Sequence, residues 1–150
     1  MLSSASSQMK QSPPRSTKIL LTIAAVVTLA VPVIADLNHT HMLNPLWSPH
    51  ARLHGAAFLL VNIASGAISL FLLWGSYAER GSRLAVRVAA LLPAMGWGAL
   101  LGALPFPGTS SYPDGMTDRP PINGNLVVAG VMVALCVLGV VLDGRARRTS

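Results

Sequence analysis

The chain has a single cysteine, Cys136, in 150 residues, so no disulfide can form within it. A disulfide-stapled scaffold is excluded. Charge is scarce too: Asp, Glu, Lys and Arg make up 11% of the chain, where soluble domains average about 25%. So few charges cannot cover the surface of a water-soluble monomer. The same figures exclude intrinsic disorder, which needs low hydrophobicity and high net charge. A nucleotide-binding Gly-rich loop is missing, and no cofactor is expected. What is present is apolar: 52% of residues are hydrophobic and mean hydropathy is +0.56. This is the composition of an integral membrane protein small enough for one domain.

Four apolar runs carry that reading: Ile19–Ala35, Gly55–Tyr77, Leu84–Leu104 and Leu126–Leu142, of 17, 23, 21 and 17 residues. A span needs about 17–25 residues. In hydrocarbon every backbone group must pair within its own segment, so the runs are helices. The expected fold is all-α, a bundle of four transmembrane helices over about 19–35, 49–77, 84–104 and 123–142, within a membrane domain 18–143. The Ser-, Gln- and Pro-rich segment 1–17 reads as a disordered tail and 144–150 as a short basic one. The first run also has the basic start and small-residue end of a secretory signal; its cleavage would leave three helices. Gly98 and Gly102 form a G-x-x-x-G, a pattern that permits close helix contact.

The net charge is +6, but the basic residues flank apolar runs instead of forming a patch. The expected partner is therefore the lipid bilayer and not nucleic acid. Nine of the eleven lie in the N-terminal tail (Lys10, Arg15, Lys18), around the second connection (Arg80, Arg83, Arg87) and in the C-terminal tail (Arg145, Arg147, Arg148). Counting acids, that side carries +7 against −1 for the other. The positive-inside rule then puts both termini in the cytoplasm and loops one and three outside, in the cell membrane.

Polar chemistry concentrates in loop one and the start of helix two, where all four histidines fall within Asp36–His54. Ser48 and Pro49 read as N-cap and first helical residue. His50 and His54 are then one turn apart. At about 100° per residue, His54, Ser65, Ser69 and Asn62 fall within roughly 120° of His50, as a polar stripe facing the interior. The pair has three readings: metal chelation, satisfied polar groups, or acid/base work near neutral pH. No Glu or third ligand accompanies it, and no metal is expected. The candidate catalytic set is His50 and His54 with Asp36, His39 and Arg52. Asn38, Asn44, Trp47, Asn62, Asp114, Asp118 and Asn123 are candidate binding residues, and Asn125 lies near the same cavity. His41 is expected to matter less. The proline-rich loop three, Pro105–Pro121, reads as a proline-stiffened connector or, functionally, as a lid over loop one.

The stretch Asn38-His39 … Asn44-Pro45-Leu46-Trp47-Ser48-Pro49-His50-Ala51-Arg52-Leu53-His54 resembles the motif of an uncharacterised four-helix membrane family of fungi and bacteria. That resemblance implies the fold and no activity. The layout is also similar to DoxX-like proteins, linked to quinone redox chemistry, and loosely to the EXPERA sterol-isomerase group. The leading functional expectation is an outward-opening polar cavity for a small lipophilic molecule. Acid/base chemistry of the isomerase, epoxide-opening or cyclase type would act there. The alternatives are a membrane subunit for quinone-linked electron transfer or transport, and a structural or assembly partner without chemistry. A homo-oligomer is compatible with all three.

Overall fold

The computed structural model describes residues 12–75, 82–113 and 116–149. Four helices run through them: α1 Arg15–Asp36, α2 Pro49–Trp74, α3 Arg83–Gly102 and α4 Gly124–Ala146. There is no strand among the described residues. Three helix starts are capped by the residue before them. The Ser48 hydroxyl accepts from Ala51 N, the Ser82 hydroxyl from Ala85 N and the Asn123 side-chain Oδ1 from Asn125 N. Each cap satisfies one of the amides a first turn leaves orphaned.

Two helices run further than their apolar stretches. Arg15, Ser16 and Thr17, expected in the tail, form the first turn of α1. Buried Thr17 donates its hydroxyl to Gly139 O of α4 at 3.2 Å. At its end α4 continues past Leu142, because Asp143 and Arg147 pair one turn apart at 2.9 Å with both side chains buried. α2 stops at Trp74, and the remaining expected residues of that helix through Tyr77 include 76–77, outside the described residues. So does segment 1–11 of the expected tail.

The helices form a ring in chain order, with α1 also touching α3 across the diagonal. Small residues of both helices, Ala24 on α1 and Ala89 and Ala90 on α3, are buried in the one core cluster. Close approach elsewhere rests on glycines. A Cβ at Gly66 would sit 2.6 Å from Ala25 O, and one at Gly139 2.7 Å from a Leu21 methyl. The Gly98-x-x-x-Gly102 pair, a pattern that permits such a contact, makes none here: a Cβ at either would meet nothing within 4 Å. Mutual burial falls elsewhere on α3, around Ala85, Val86, Ala89, Ala90, Pro93 and Trp97.

Polar groups inside the bundle are satisfied locally. The Ser69 hydroxyl donates to Ser65 O, that of Thr28 to Ala24 O, and the Asn62 amide to Phe58 O, all one turn back. Outward, the helices present Leu60, Phe71, Leu84 and Val137, each more than half exposed. Exposed apolar surface on four helices, each long and apolar enough to span, has lipid as its solvent. The chain is a multi-pass membrane protein.

Candidate functional site

Loops one and three meet at one end of the bundle. Loop one is built by two asparagines. The Asn38 amide donates to Ala35 O at 2.7 Å and Ile34 O at 3.3 Å, closing the carbonyl end of α1. Its oxygen accepts from Thr40 N at 2.9 Å and from the Thr40 hydroxyl at 2.6 Å. Buried Asn44 accepts Leu46 N on its side-chain oxygen. Its backbone oxygen takes Trp47 N at 3.2 Å and an Arg52 guanidinium N–H at 2.9 Å. Arg52 therefore staples the loop to α2. Trp47 lies against α2 where Gly55 leaves room: a Cβ at Gly55 would stand 3.1 Å from its ring. Such turns, built by side chains bonding their own backbone, are a common use of asparagine.

Loop three folds back in the same manner. The Thr109 hydroxyl reaches the carbonyls of Ala103, Leu104 and Phe106, the last at 2.9 Å. Tyr112 donates to Pro120 O, and the Asn123 amide to Ser111 O. Gly108, at φ +79°, supplies the left-handed turn.

Between the loops lies a cavity of about 290 Å³. Its apolar walls are Val31, Pro32, Phe58, Trp97, Leu100 and Leu104; Asp36, His41, Trp47, Thr109, Ser110, Ser111 and Asn125 stand at its polar side. A second chamber, also about 290 Å³, shares His41, Trp47, Ser110, Ser111 and Asn125 and adds Thr40 and Tyr112. His41 and Trp47, packed edge to face at 5.9 Å, line both the mostly apolar chamber and the polar one, as do Ser110, Ser111 and Asn125. Trp97 is held as part of the floor by donating its indole N–H to the Thr28 hydroxyl at 2.7 Å.

The hydrogen bonds assign the tautomer of His41. Its Nδ1 lies 2.8 Å from the Thr40 hydroxyl oxygen. That hydroxyl spends its proton on Asn38, whose amide orientation is set by its own donation to α1. The hydroxyl can therefore only accept from His41, and neutral His41 carries its proton on Nδ1. Nε2 keeps its lone pair and has no hydrogen-bond partner among the described residues. Half-buried Asp36 lines the same cavity as His41. Its carboxylate accepts no hydrogen bond among the described residues.

Of the expected site residues, Asp36, Trp47 and Asn125 line the cavity. His50 and His54 line neither chamber and are exposed, their Nε2 atoms 3.1 Å apart. The reason is the end of the helix and not its face: His54 lies roughly 20° from buried Ser65 around the helix, but burial on α2 starts only at Leu59 and continues through Asn62, Ser65, Gly66, Ser69 and Leu73. Asn62 is buried as expected of the stripe, but deeper, with its oxygen against Gly96. Arg52, Asn38 and Asn44 build the loop; Asn123 caps α4. Exposed His39 and Asp118 line neither chamber, and Asp114 lies outside the described residues. His41, which the sequence set aside, is the histidine at the cavity. Its signal was the Asn-x-Thr-His order, which makes the proton relay possible. Among the described residues no three His, Cys, Asp or Glu side chains gather into a metal site.

No curated protein and no solved structure matches the chain. Residues 20–150 match DUF6640, a family of unknown function, and the chain belongs to that family.

Proposed function

Proceeding from membership of a membrane family of unknown function, we propose that the chain binds a small amphipathic, lipophilic molecule at the end formed by loops one and three. There it moves a proton on that molecule. The carrying observation is the Asn38–Thr40–His41 chain, which leaves Nε2 as an acceptor on His41, a residue lining both an apolar chamber and a polar one. An apolar body fits against Phe58, Trp97 and Leu100, with its polar group beside Ser110, Ser111 and Asn125. Each chamber is near the lower end of the about 300–1,000 Å³ range of small-molecule sites, which are mostly apolar with a few converging polar groups. His41 Nε2 takes the proton as base and returns it as acid, and the Asp36 carboxylate in the same cavity stabilises the imidazolium formed between the two steps. Two such groups suffice for an isomerisation, an epoxide opening or a cyclisation. The charge asymmetry of the connections supports a cell-membrane location with both termini in the cytoplasm and this cavity facing outward.

The test is photolabelling of the full chain in lipid nanodiscs with a diazirine-bearing decanol. Label is expected on residues 31–47 and 97–111. Ala35→Trp, which fills the apolar chamber, abolishes it, and Ala103→Phe reduces it, while His50→Ala leaves it unchanged. Equal labelling of the Ala35→Trp and parent proteins, both monodisperse, would show that no such cavity is occupied.

A further inference from the structure

His50 and His54 take no part in the cavity, yet their arrangement is specific. Both stand in the first two turns of α2, whose start is set by the Ser48 cap and Pro49. Their rings are near perpendicular at 87°, with centroids 4.5 Å apart, and the two Nε2 atoms face each other at 3.1 Å. Both side chains are open to solvent. Arg52, the only charged side chain between them in sequence, is turned away onto Asn44 O.

We propose that His50 and His54 form a two-imidazole chelate for a divalent first-row metal ion of the copper, nickel or zinc kind, independent of the cavity. Metal–imidazole bonds run about 2.0–2.1 Å. Two nitrogens 3.1 Å apart then subtend roughly 95–100° at a shared ion, between the square-planar or octahedral and the tetrahedral angle. The two nitrogens already stand at the separation a shared ion needs, so closing the chelate takes rotation of the rings and no movement of the helix. At present one Nε2–H donates to the other Nε2. When the ion takes both lone pairs, that proton moves to Nδ1 of the same ring through solvent. Two neutral imidazoles then bind with no net proton release. Imidazole ligands suit copper, zinc and nickel, and affinity follows the order copper above nickel above cobalt. Among the described residues no third His, Cys, Asp or Glu joins the pair, so the remaining positions are filled by water, which makes the site open and of micromolar strength. The positive end of the α2 dipole and the missing third ligand both hold it there.

The experiment uses the full chain without an affinity tag, in detergent, titrated with Cu(II) and separately with Zn(II). One saturable equivalent is expected, with a Cu(II) electron paramagnetic resonance spectrum showing coupling to two nitrogens. Because the chelate makes the second bond intramolecular, His50→Ala and His54→Ala should each weaken binding at least about 100-fold, and His39→Ala should not. His50→Asn and His54→Gln repeat the test with polarity kept, and each variant is checked for a monodisperse elution profile. No saturable Cu(II) binding below about 1 mM, a one-nitrogen spectrum, or unchanged affinity in the folded His50 or His54 variants would each overturn the site.

Discussion

The two ends of this bundle use their polar residues in opposite ways. At the end that carries the chain termini, polar groups are spent on one another. Thr17 reaches Gly139 O, the Trp74 indole donates to Thr22, Lys18 lies 4.7 Å over the Trp74 ring, and Asp143 pairs with Arg147. At the other end backbone groups are spent, by Asn38, Asn44 and Thr109, but the ionisable side chains at the cavity are not. Asp36 has no hydrogen bond and His41 keeps Nε2 open among the described residues. Charges satisfied by each other hold structure. Groups held in place by neighbours that leave their reactive atoms unbonded are what chemistry needs.

The coarsest way to break this comparison is to ask which end faces which side of the membrane. A phosphatase reporter active only outside the cytoplasm should be silent when fused after Ser150 and active when inserted beside Ser111. The effect is all or none. The opposite pattern would turn the cavity toward the cytoplasm and remove the outward site.

Next in size is a matched pair of substitutions. Asp143 and Arg147 are both buried, and removing one partner of a buried pair costs about 3 kcal/mol or more. Asp143→Asn should therefore lower the thermal midpoint in detergent by about 6–12 °C. Asp36→Asn removes the same charge where no described residue bonds it, and should shift the midpoint by less than about 2 °C while reducing photolabelling at the cavity. Equal destabilisation by both would show that Asp36 is structural and would erase the contrast.

The spans were legible because hydrocarbon imposes one rule on every residue of a helix. Their ends were not, since Arg15–Thr17 and Asp143–Ala146 are helical through single long-range or one-turn interactions that hydropathy does not register. The start of α2 was legible, because Ser-Pro acts locally. The histidine cluster was legible as a place and illegible as a geometry. Asn62, Ser65 and Ser69 point inward as their polarity suggests, but extending that stripe to His50 and His54 assumes packing that continues to the helix start. There the loop, not a helix, is the neighbour. His41 gained its position from turns made by Asn38 and Asn44, whose partners lie up to eight residues away, and no periodicity reports such contacts.

The smallest effect tests the relay itself. Thr40→Val keeps the shape of the side chain and removes the hydroxyl that accepts from His41 Nδ1 and donates to Asn38. Thr40 is exposed, so the fold should survive. One hydrogen bond of this kind contributes about 1 kcal/mol, so the ratio of the two neutral His41 tautomers should move about fivefold toward Nε2–H. Ring nitrogen shifts of 15N-histidine protein measure that ratio directly, with His41→Ala identifying the signal. A Thr40→Ser variant retains the hydroxyl and should restore the parent spectrum, which a purely steric role of the threonine methyl would not allow. An unchanged tautomer ratio in Thr40→Val would mean that the hydroxyl does not set the proton position. His41 would then be an ordinary loop histidine, and the open end would lose the feature that separates it from the closed one.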